Sequence, residues 1–252
     1  MNTSKSPLVI PFAFPGIDNV GCHFGTRIGG YSADPFYQAN VSFDQGDDEK
    51  RVLSNRDALM KSIGFAHWQE VRQVHGTTVV FDPEPAGVAA RSTVEADGLA
   101  TARPGQALII KTADCQPIFV AHKGGRHVLA LHCGWRGNVA GFPTRGVAAF
   151  CEKYGLDPAD CSAVRGPSLC PAHAEFTNFD AEFGPAFADY FTPDTKTVDL
   201  WHLTRDQLQA AGIKERNIYG LDLCTYSLVD FFFCYRKHQK TGRQASIIWI
   251  RG

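Results

Sequence analysis

The sequence lacks a charge bias. Its 252 residues include 25 Lys and Arg against 26 Asp and Glu, which gives a formal net charge of -1. No run of basic residues stands out anywhere in the chain. Proteins that hold a phosphate backbone concentrate positive charge on one surface. We therefore expect no nucleic-acid partner.

Long hydrophobic runs are also missing. No apolar stretch reaches the 18 residues that a membrane-spanning helix requires. The first residues, MNTSKSPLVIPFAFPG, contain one Lys and a short apolar run that prolines interrupt, which is not typical of a secretory signal. These features predict a cytoplasmic protein with no membrane partner.

Paired cysteines of the CxxC type are absent, although the chain has eight cysteines. They are scattered, at Cys22, Cys115, Cys133, Cys151, Cys161, Cys170, Cys224 and Cys234. Without a secretion signal, reduced thiols are a better interpretation than disulfides. A metal site would have to be assembled from residues that are distant in sequence.

The content of hydrophobic residues is sufficient for a sizeable core. Hydrophobic residues make up 44% of the chain and aromatic residues 12%, and we expect one domain over residues 1–252. The apolar spacing predicts helices in DDEKRVLSNRDALMKSIGF, in VAGFPTRGVAAFCEKYG, which Gly155 would close, and in the shorter AEFGPAFADYF and TRDQLQAAG.

Compact apolar runs between these segments are typical of strands. They are QALIIKTADC, IFVAHKGG with a turn after it, HVLALHC, CSAVRGPSLC and RQASIIWIRG. WQEVRQVHGTTVVFD is interpreted as a strand or hairpin interrupted at His75-Gly76, and Phe81 to Gly98 as a surface loop. Because helices and strands do not alternate strictly, we predict an α+β fold of layered mixed β-sheets covered by helices.

Three potential metal ligands follow apolar runs. His75, Cys115 and His132 each stand near a strand end beside small residues. Zinc binds imidazole nitrogen and thiolate sulfur, and a catalytic zinc commonly has three protein ligands and one open position. Taken singly, each residue is also compatible with a core histidine or an inert buried thiol. Cys115 as a nucleophile with His132 as its base is a further alternative.

Other polar residues are weaker candidates. Asp114 could orient a ligand or transfer a proton, or be an ordinary loop acid. Arg27, Arg56 and Arg136 could bind phosphate, or be solvated or ion-paired. The glycines of TRIGG and GWRGN do not have the spacing of a Walker or Rossmann loop, so ATP and dinucleotide cofactors are not indicated.

Taken together, several segments resemble the bacterial laccase-domain family. In order they are RQVHGTTVV, ADGLAT, KTADCQPIFV, LHCGWRGNVAG, RGPSLC and the C-terminal CTYS…FFFCYRKHQKTGRQASIIWI. This family was first described as multicopper polyphenol oxidoreductases and is now associated with purine nucleoside phosphorylase, methylthioadenosine phosphorylase and adenosine deaminase activities. The resemblance extends from RIGGYS to the C-terminus and therefore covers nearly the whole chain.

The resemblance implies specific roles. The zinc ligands of the family fall on His75, Cys115 and His132, with copper as the less favoured metal. Asn40, in ANVSFDQGDD, and Arg56 match positions that imply substrate or phosphate contacts. A multicopper oxidase needs many His ligands, and nine thinly spread histidines do not suit one.

The sequence also departs from the family pattern. CPAHAEF stands where many members have a Gly-Pro-Cys-Cys run, so Cys170 replaces the glycine and Ala172 and His173 replace the two cysteines. Cys133 replaces the alanine that commonly follows the last metal ligand.

The resemblance implies a small-molecule enzyme that is a monomer or weak homo-oligomer. Phosphorolysis of adenosine, inosine and methylthioadenosine would use Arg56 and Arg136 to hold phosphate, with Cys115, His132 and Asp114 as the catalytic residues. Deamination of adenosine would use Asp114 to move protons beside the zinc. Alternatives are an enzyme that edits peptidoglycan precursors, a laccase-like oxidase, and a non-catalytic zinc-binding or redox-responsive protein. The last of these would require a closed site of four ligands.

Overall fold

Two large β-sheets, a two-stranded ribbon, five α-helices and several short 3-10 helices make up the regular structure in the computed structural model, which describes residues 6–252. The strands are β1 (Val9–Pro11), β2 (Val20–Gly25), β3 (His67–Gln69), β4 (Val79–Phe81), β5 (Gly98–Thr101), β6 (Gln106–Thr112), β7 (Gln116–His122), β8 (Val128–Cys133), β9 (Cys161–Arg165), β10 (Phe191–Thr192), β11 (Thr197–Val198), β12 (Ile218–Gly220) and β13 (Gln244–Ile250). The helices are α1 (Glu49–Ile63), α2 (Trp135–Val139), α3 (Phe142–Tyr154), α4 (Phe179–Glu182) and α5 (Leu200–Ala210).

Both large sheets are mixed. The first has the strand order β1-β2-β13-β6-β3, and the second has the order β12-β9-β7-β8-β5-β4. Neighbours are mostly antiparallel, whereas β3–β6, β4–β5 and β9–β12 are parallel pairs. Strands β10 and β11 form a separate small ribbon.

The apolar side chains arrange these elements in four layers. One core lies between the sheets, where Phe24 of β2 stacks on Phe119 of β7. A second core joins the outer face of the second sheet to α3 and α5, and a third joins the first sheet to α1 through Leu59 and Trp68. Because each sheet has both faces covered, its central strands are apolar throughout instead of alternating. The predicted α+β fold of layered mixed sheets covered by helices is confirmed.

The helix predictions are confirmed with shifted boundaries. Helix α1 begins after Asp48, whose carboxylate accepts hydrogen bonds from two backbone N–H groups, and ends at Gly64. The segment VAGFPTRGVAAFCEKYG belongs to two helices, because Gly141 adopts a φ of 67° between α2 and α3. Similarly, AEFGPAFADYF breaks at Gly184 into the end of α4 and a 3-10 helix over Pro185–Tyr190.

The prediction for WQEVRQVHGTTVVFD is only partly right. Its two ends form short strands, but β3 pairs with β6 in the first sheet and β4 pairs with β5 in the second sheet. The segment is therefore a crossing between the two sheets and not a hairpin. The alternating pattern could not distinguish these arrangements, because each half is too short to identify its partner.

A fourth apolar cluster, in which phenylalanine side chains predominate, lies beside the second sheet. It contains Phe176, Phe179, Phe183 and Leu203, and Trp135 packs against it. This cluster supports the start of α5 and the segment that follows β9.

None of the helices within residues 6–252 is long and apolar enough to cross a lipid bilayer.

Candidate metal centre and adjoining cavity

The three sequence-predicted metal ligands meet at one end of the sheet pair. His75 lies on the crossing from β3 to β4, and Cys115 lies on the crossing from β6 to β7. Both segments leave the first sheet and enter the second. His132 is near the end of β8, next to β7. In the sequence, His75 is 40 positions from Cys115 and 57 positions from His132. The fold thus brings together residues that are distant along the chain.

The three-ligand cluster, His75, Cys115 and His132, has distances that suit a shared ion. One nitrogen or sulfur atom from each residue lies within 4.8 Å of the others. The Cys115 Sγ is 3.8 Å from the His75 Nε2, and the two imidazole rings have centroids 4.8 Å apart at an interplanar angle of 72°. Two imidazole nitrogens and a sulfur therefore converge on one point.

A buried carboxylate orients both histidines. Asp97 has no exposed surface, and its Oδ1 accepts a hydrogen bond of 2.7 Å from the His132 Nδ1. Its two oxygens also accept hydrogen bonds from the backbone N–H groups of Val74, His75 and Gly76. Metal-binding histidines commonly donate their second ring nitrogen to such a carboxylate. Asp97 thereby directs the His132 Nε2 toward Cys115 and fixes the backbone that carries His75.

The backbone around the cluster permits the close approach. His75 and Asp114 both have a positive φ, 61° and 87°, which residues other than glycine adopt rarely. A Cβ atom at Gly134 would lie 2.9 Å from the Cys115 Sγ and 3.2 Å from the His75 Cδ2. Glycine is therefore required at this position for the ligands to be close together.

The electrostatics of the metal-free cluster favour an ion pair. Burial raises the pKa of Cys115, but the imidazoles of His132 and His75 outweigh that effect and lower it to about 6. Burial lowers the pKa of His132, but the Cys115 thiolate and the Asp97 carboxylate outweigh it and raise the pKa to about 9. Thiolate is the form of cysteine that binds metals, and His132 would lose its proton when a metal binds.

This donor set fits a metal ion. Imidazole and thiolate together suit zinc and other thiophilic metals, and three protein ligands are typical of a site that keeps one position open. The buried carboxylate behind His132 is the supporting contact that such sites need. The cluster borders a cavity, so an ion held by these residues would be within reach of a small molecule in that cavity.

The cavity has a volume of about 350 Å³. Binding sites for small organic molecules commonly measure about 300–1,000 Å³. The wall combines apolar side chains with polar groups: His75, Asp114, Cys115, Gln116, Cys133, Trp135, Arg136, Leu169, Phe176, Leu200, Tyr235, Arg236 and Gln239. Both His75 and Cys115 are on this wall, so the cavity ends at the three-ligand cluster.

Asp114 lies on the cavity wall next to Cys115, and both of its oxygens accept hydrogen bonds. The Thr225 hydroxyl donates to Oδ1 over 2.7 Å, and the Arg236 backbone N–H donates to Oδ2 over 2.6 Å. The carboxylate thereby ties the segment Tyr235–Gln239 to the crossing that carries Cys115. Its position brings it close to the cluster.

Two arginines face the same cavity. Arg136, on α2, is exposed and lies over the Trp135 ring at 4.3 Å. Arg236 is exposed and donates a hydrogen bond of 2.9 Å to the Glu175 carbonyl. The Arg136 guanidinium has no hydrogen bond or ion pair to another side chain of residues 6–252, which leaves it available for an anionic ligand.

Two other predicted residues are not brought to the cavity, and their expected substrate contacts require correction. Arg56 has no exposed surface; its guanidinium forms a 2.8 Å ion pair with Glu70 and donates to the Val41 carbonyl. Asn40 has no exposed surface either, and its side-chain oxygen accepts from the Ser42 and Arg243 backbone N–H groups. The donors of Arg56 and the acceptor of Asn40 are thus committed to internal contacts.

Arg27 lies elsewhere, on a different surface cavity. Its Nε and Nη1 donate to the carbonyls of Tyr37 and Val229. The structure therefore does not join Arg27 to the three-ligand cluster.

Sequence reasoning missed Asp97, Arg236 and Gln116. The ADGLAT segment was a signal for Asp97, because an acid directly before a buried strand needs a partner. Arg236 comes from a C-terminal segment whose approach to the cavity depends on long-range packing. Gln116 is 2% exposed, and its Oε1 has no hydrogen-bond partner among the described residues.

Comparison with known proteins relates the chain to a family and to named relatives over most of its length. Residues 21–251 match the family described as multi-copper polyphenol oxidoreductase laccase. The chain is 33% identical to the purine nucleoside phosphorylase YfiH of Shigella flexneri, with 97% of this chain and 99% of that protein covered. It is also 33% identical to the purine nucleoside phosphorylase PA4543 of Pseudomonas aeruginosa, with 90% and 91% covered.

Solved structures agree with this relationship. The Neisseria meningitidis protein NMB0706 is 30% identical, with a TM-score of 0.85 and with 97% of this chain and 99% of that chain covered. YlmD from Geobacillus stearothermophilus is 26% identical, with a TM-score of 0.86 and 94% of each chain covered. The fold, the ordered motifs and the extent of the match lead to one conclusion: the chain belongs to the multi-copper polyphenol oxidoreductase laccase family, some of whose members are named purine nucleoside phosphorylases.

Proposed function

We propose that this protein is a zinc-dependent purine nucleoside phosphorylase. Its reaction would convert adenosine, inosine or methylthioadenosine and phosphate into the free base and a sugar 1-phosphate. The observation that carries the proposal is the three-ligand cluster at the end of a cavity of about 350 Å³ with an exposed arginine on its wall. Relatives named purine nucleoside phosphorylases, 33% identical over 97% of the chain, support the same conclusion.

The metal ligands are His75, Cys115 and His132. A zinc ion bound there would supply Lewis-acid polarisation of a substrate atom or of water. Asp97 holds the imidazole of His132 in the tautomer that leaves Nε2 for the metal. A family name that refers to several coppers does not transfer, because residues 6–252 contain only two groups of three His, Cys, Asp or Glu ligands. Copper is accordingly the less favoured metal.

Other residues on the wall of the cavity would bind and orient the two substrates. Leu169, Phe176 and Leu200 provide apolar surface for a purine ring. The guanidinium of Arg136 would hold phosphate, because its planar fork matches phosphate oxygens. In this arrangement a phosphate oxygen forms a bond to C1′ while the bond from C1′ to the purine nitrogen breaks. The bonding electron pair leaves with the purine, which takes up a proton.

Deamination of adenosine in the same cavity is part of the proposal. Water replaces the amino group at C6 and ammonia leaves, so protons must move between the water and the amino group. Asp114 would move them, since its carboxylate lies on the wall next to Cys115. The Gln116 Oε1 atom, buried without a partner among residues 6–252, is an acceptor for the purine amino group.

The test is a metal analysis of the purified protein together with chromatography of its reaction products. Adenosine, inosine and methylthioadenosine are each incubated with and without phosphate. The expected results are that Cys115→Ala contains about one zinc equivalent fewer than wild type and that it loses the phosphate-dependent release of free base. The matched control Cys22→Ala removes a buried thiol in β2, outside the ligand groups, and should retain both the zinc content and the release of free base.

Contrary results would separate the parts of the proposal. Base release that does not depend on phosphate would exclude a phosphorylase, and activity retained in Cys115→Ala would exclude a role for the metal. Inosine appearing from adenosine without phosphate is the expected sign of the deaminase reaction. A single domain over residues 1–252 and a cytoplasmic location complete the proposal.

A further inference from the structure

We propose a second metal site, formed by Cys170, His173 and Cys224 and selective for a thiophilic ion, Zn²⁺ or Cu⁺. These residues, the second cluster, are the other group of potential ligands among residues 6–252 besides the three-ligand cluster. Two of them are in CPAHAEF, the segment that departs from the family pattern. The proposal does not depend on the nucleoside chemistry described above.

The distances within the second cluster suit a shared ion. The His173 Nδ1 lies 3.1 Å from the Cys170 Sγ and 3.8 Å from the Cys224 Sγ, and all three ligand atoms are within 4.8 Å of one another. Zinc binds sulfur at about 2.3 Å and nitrogen at about 2.0–2.1 Å, so tetrahedral ligands are roughly 3.5–3.8 Å apart. Only small side-chain adjustments are needed to admit the ion.

More polar atoms surround the His173 Nδ1 than this atom can bond. The Ser227 Oγ is 3.5 Å away, in addition to the two sulfurs. A ring nitrogen either donates one hydrogen bond or accepts one, so the convergence of three atoms exceeds what hydrogen bonding can use. An ion on Nδ1 would instead engage both sulfurs at once, and the Ser227 hydroxyl or water could complete the coordination.

The protein holds these ligands in place before any ion binds. The His173 ring stacks on Tyr226, with centroids 4.3 Å apart and an interplanar angle of 21°. The backbone N–H of Cys170 donates to the Cys224 Sγ over 3.4 Å, and Ser168 and Cys224 form a parallel β-bridge. Metal binding would therefore require little additional ordering of these two segments.

The chemistry and the exposure of the ligands define the ion. Two thiolates and one imidazole select zinc or Cu⁺ over hard ions such as Mg²⁺ or Ca²⁺. Cys170 and His173 are partly exposed, whereas Cys224 is buried. An ion can therefore enter from solvent and be bound on its inner side by the buried sulfur.

The second cluster is connected to the wall of the cavity. Leu169, which lines the cavity, directly precedes Cys170, and its N–H donates to the Asp114 carbonyl over 2.9 Å. Thr225 directly follows Cys224 and donates its hydroxyl proton to Asp114. An ion that joins Cys170 to Cys224 would thus fix two contacts of Asp114. The site has a structural role, in which it stabilises the wall of the cavity.

The experiment counts bound metal in the full chain. Metal-free protein, kept reduced, is titrated with Co²⁺ and with Zn²⁺ against a chromogenic chelator. The variants are Cys115→Ala, Cys115→Ala with Cys170→Ser, Cys115→Ala with His173→Asn, and Cys115→Ala with Cys22→Ala as the matched control. Circular dichroism and thermal unfolding confirm that each variant folds.

The expected results follow from the ligand sets. Wild type binds two equivalents, and Cys115→Ala keeps one equivalent with sulfur-to-cobalt charge-transfer absorption. Adding Cys170→Ser or His173→Asn abolishes that absorption and the second equivalent, whereas Cys22→Ala does not. Zinc should raise the thermal midpoint of Cys115→Ala but not that of the two second-cluster variants. A folded Cys115→Ala that binds no thiophilic metal, or whose bound metal survives both second-cluster changes, would overturn the proposal.

Discussion

The buried carboxylate of Asp97 connects the two histidines of the three-ligand cluster. It accepts a 2.7 Å hydrogen bond from the His132 Nδ1 and a 3.0 Å hydrogen bond from the His75 backbone N–H. Burial raises the pKa of Asp97, but the hydrogen bonds from His132 and from the backbone outweigh it and lower the pKa below its ordinary value. A single side chain thus sets the position of one ligand and the ring orientation of another.

The first prediction concerns this carboxylate. In Asp97→Asn an amide N–H₂ replaces one oxygen and faces backbone donors, so hydrogen bonds to a buried charge are lost. We expect metal affinity to fall by about 10–100-fold. The free energy of unfolding should fall by about 2 kcal/mol or more. Chelator competition and urea unfolding measure the two effects.

The control for this change is Asp57→Asn. Asp57 forms an exposed pair with Lys61 on α1, so its loss should cost less than about 1 kcal/mol and leave metal binding unchanged. Unaltered metal affinity in Asp97→Asn would contradict the role assigned to the carboxylate.

The second prediction concerns the glycine beside the cluster. In Gly134→Ala the new Cβ would meet the Cys115 Sγ at 2.9 Å and displace the ligand. A displacement near 1 Å at a reacting group can cost about 100-fold in rate, and we expect a loss of that order in activity together with weaker metal binding. Gly87→Ala, where no atom lies within 4 Å of the new Cβ, is the matched control. Equal behaviour of the two variants would refute the prediction.

The third prediction concerns the protonation of Cys115 in the metal-free protein. Its pKa is lowered to about 6, so the thiolate is the major form above pH 6 and is lost as the pH falls below that value. Alkylation by iodoacetamide should therefore have a midpoint near pH 6, well below the ordinary thiol value of about 8.5. Mass spectrometry of the Cys115 peptide over a pH series gives the midpoint.

Removing the neighbouring charge tests the cause of this shift. In His132→Ala the imidazolium that stabilises the thiolate is gone, so the midpoint should move to higher pH. Cys133, on the cavity wall, is an internal comparison, since burial and the nearby Cys115 and Asp97 charges raise its pKa. A midpoint that does not respond to His132→Ala would exclude the ion pair.

The sequence predicted which residues meet in the three-ligand cluster better than it predicted their surroundings. His75, Cys115 and His132 could be named as candidate ligands because thiol and imidazole at strand ends are distinctive and because the motifs resemble a known family. Their meeting point depends on two crossings between the sheets. The crossing at His75 was interpreted as a strand or hairpin, since β3 and β4 are three residues each and local pattern cannot specify which sheet they join.

The cationic residues were harder to predict. Arg56 and Arg136 both stand in motifs beside small or polar residues, and sequence alone treats them alike. Tertiary packing separates them, because Arg56 is enclosed by Glu70 and by the rings of Phe43 and Trp68, whereas Arg136 stays exposed on α2. Burial of a charge is a property of the whole fold, and a local segment does not carry it.

The fourth prediction follows from the enclosure of Arg56. In Arg56→Met the carboxylate of Glu70 loses its 2.8 Å partner in an environment where both side chains are almost fully buried. Breaking a buried pair typically costs about 3–5 kcal/mol when the remaining charge is left unpaired. Glu70 keeps a 3.2 Å ion pair with Lys111, so the lower end of that range applies here. We expect that loss in the free energy of unfolding, with an unchanged KM for phosphate at a temperature where the variant stays folded. A raised KM for phosphate in folded Arg56→Met would contradict this prediction and would support Arg56 as a substrate contact.

The last prediction assigns phosphate binding to Arg136. In Arg136→Gln the charge facing the cavity is removed while an amide remains, so a charge-assisted hydrogen bond of about 1.5–3 kcal/mol is lost. That range corresponds to a rise of roughly 10–100-fold in the KM for phosphate, since each 1.4 kcal/mol is a factor of ten. Stability should change little, because the side chain is exposed. Initial rates at varied phosphate and fixed saturating nucleoside measure the effect. The control is Arg126→Gln, which removes an exposed arginine in the turn between β7 and β8 and should leave the KM for phosphate unaltered. The same increase in KM in both variants would indicate a general effect of lost positive charge and would contradict a contact between Arg136 and phosphate in the cavity.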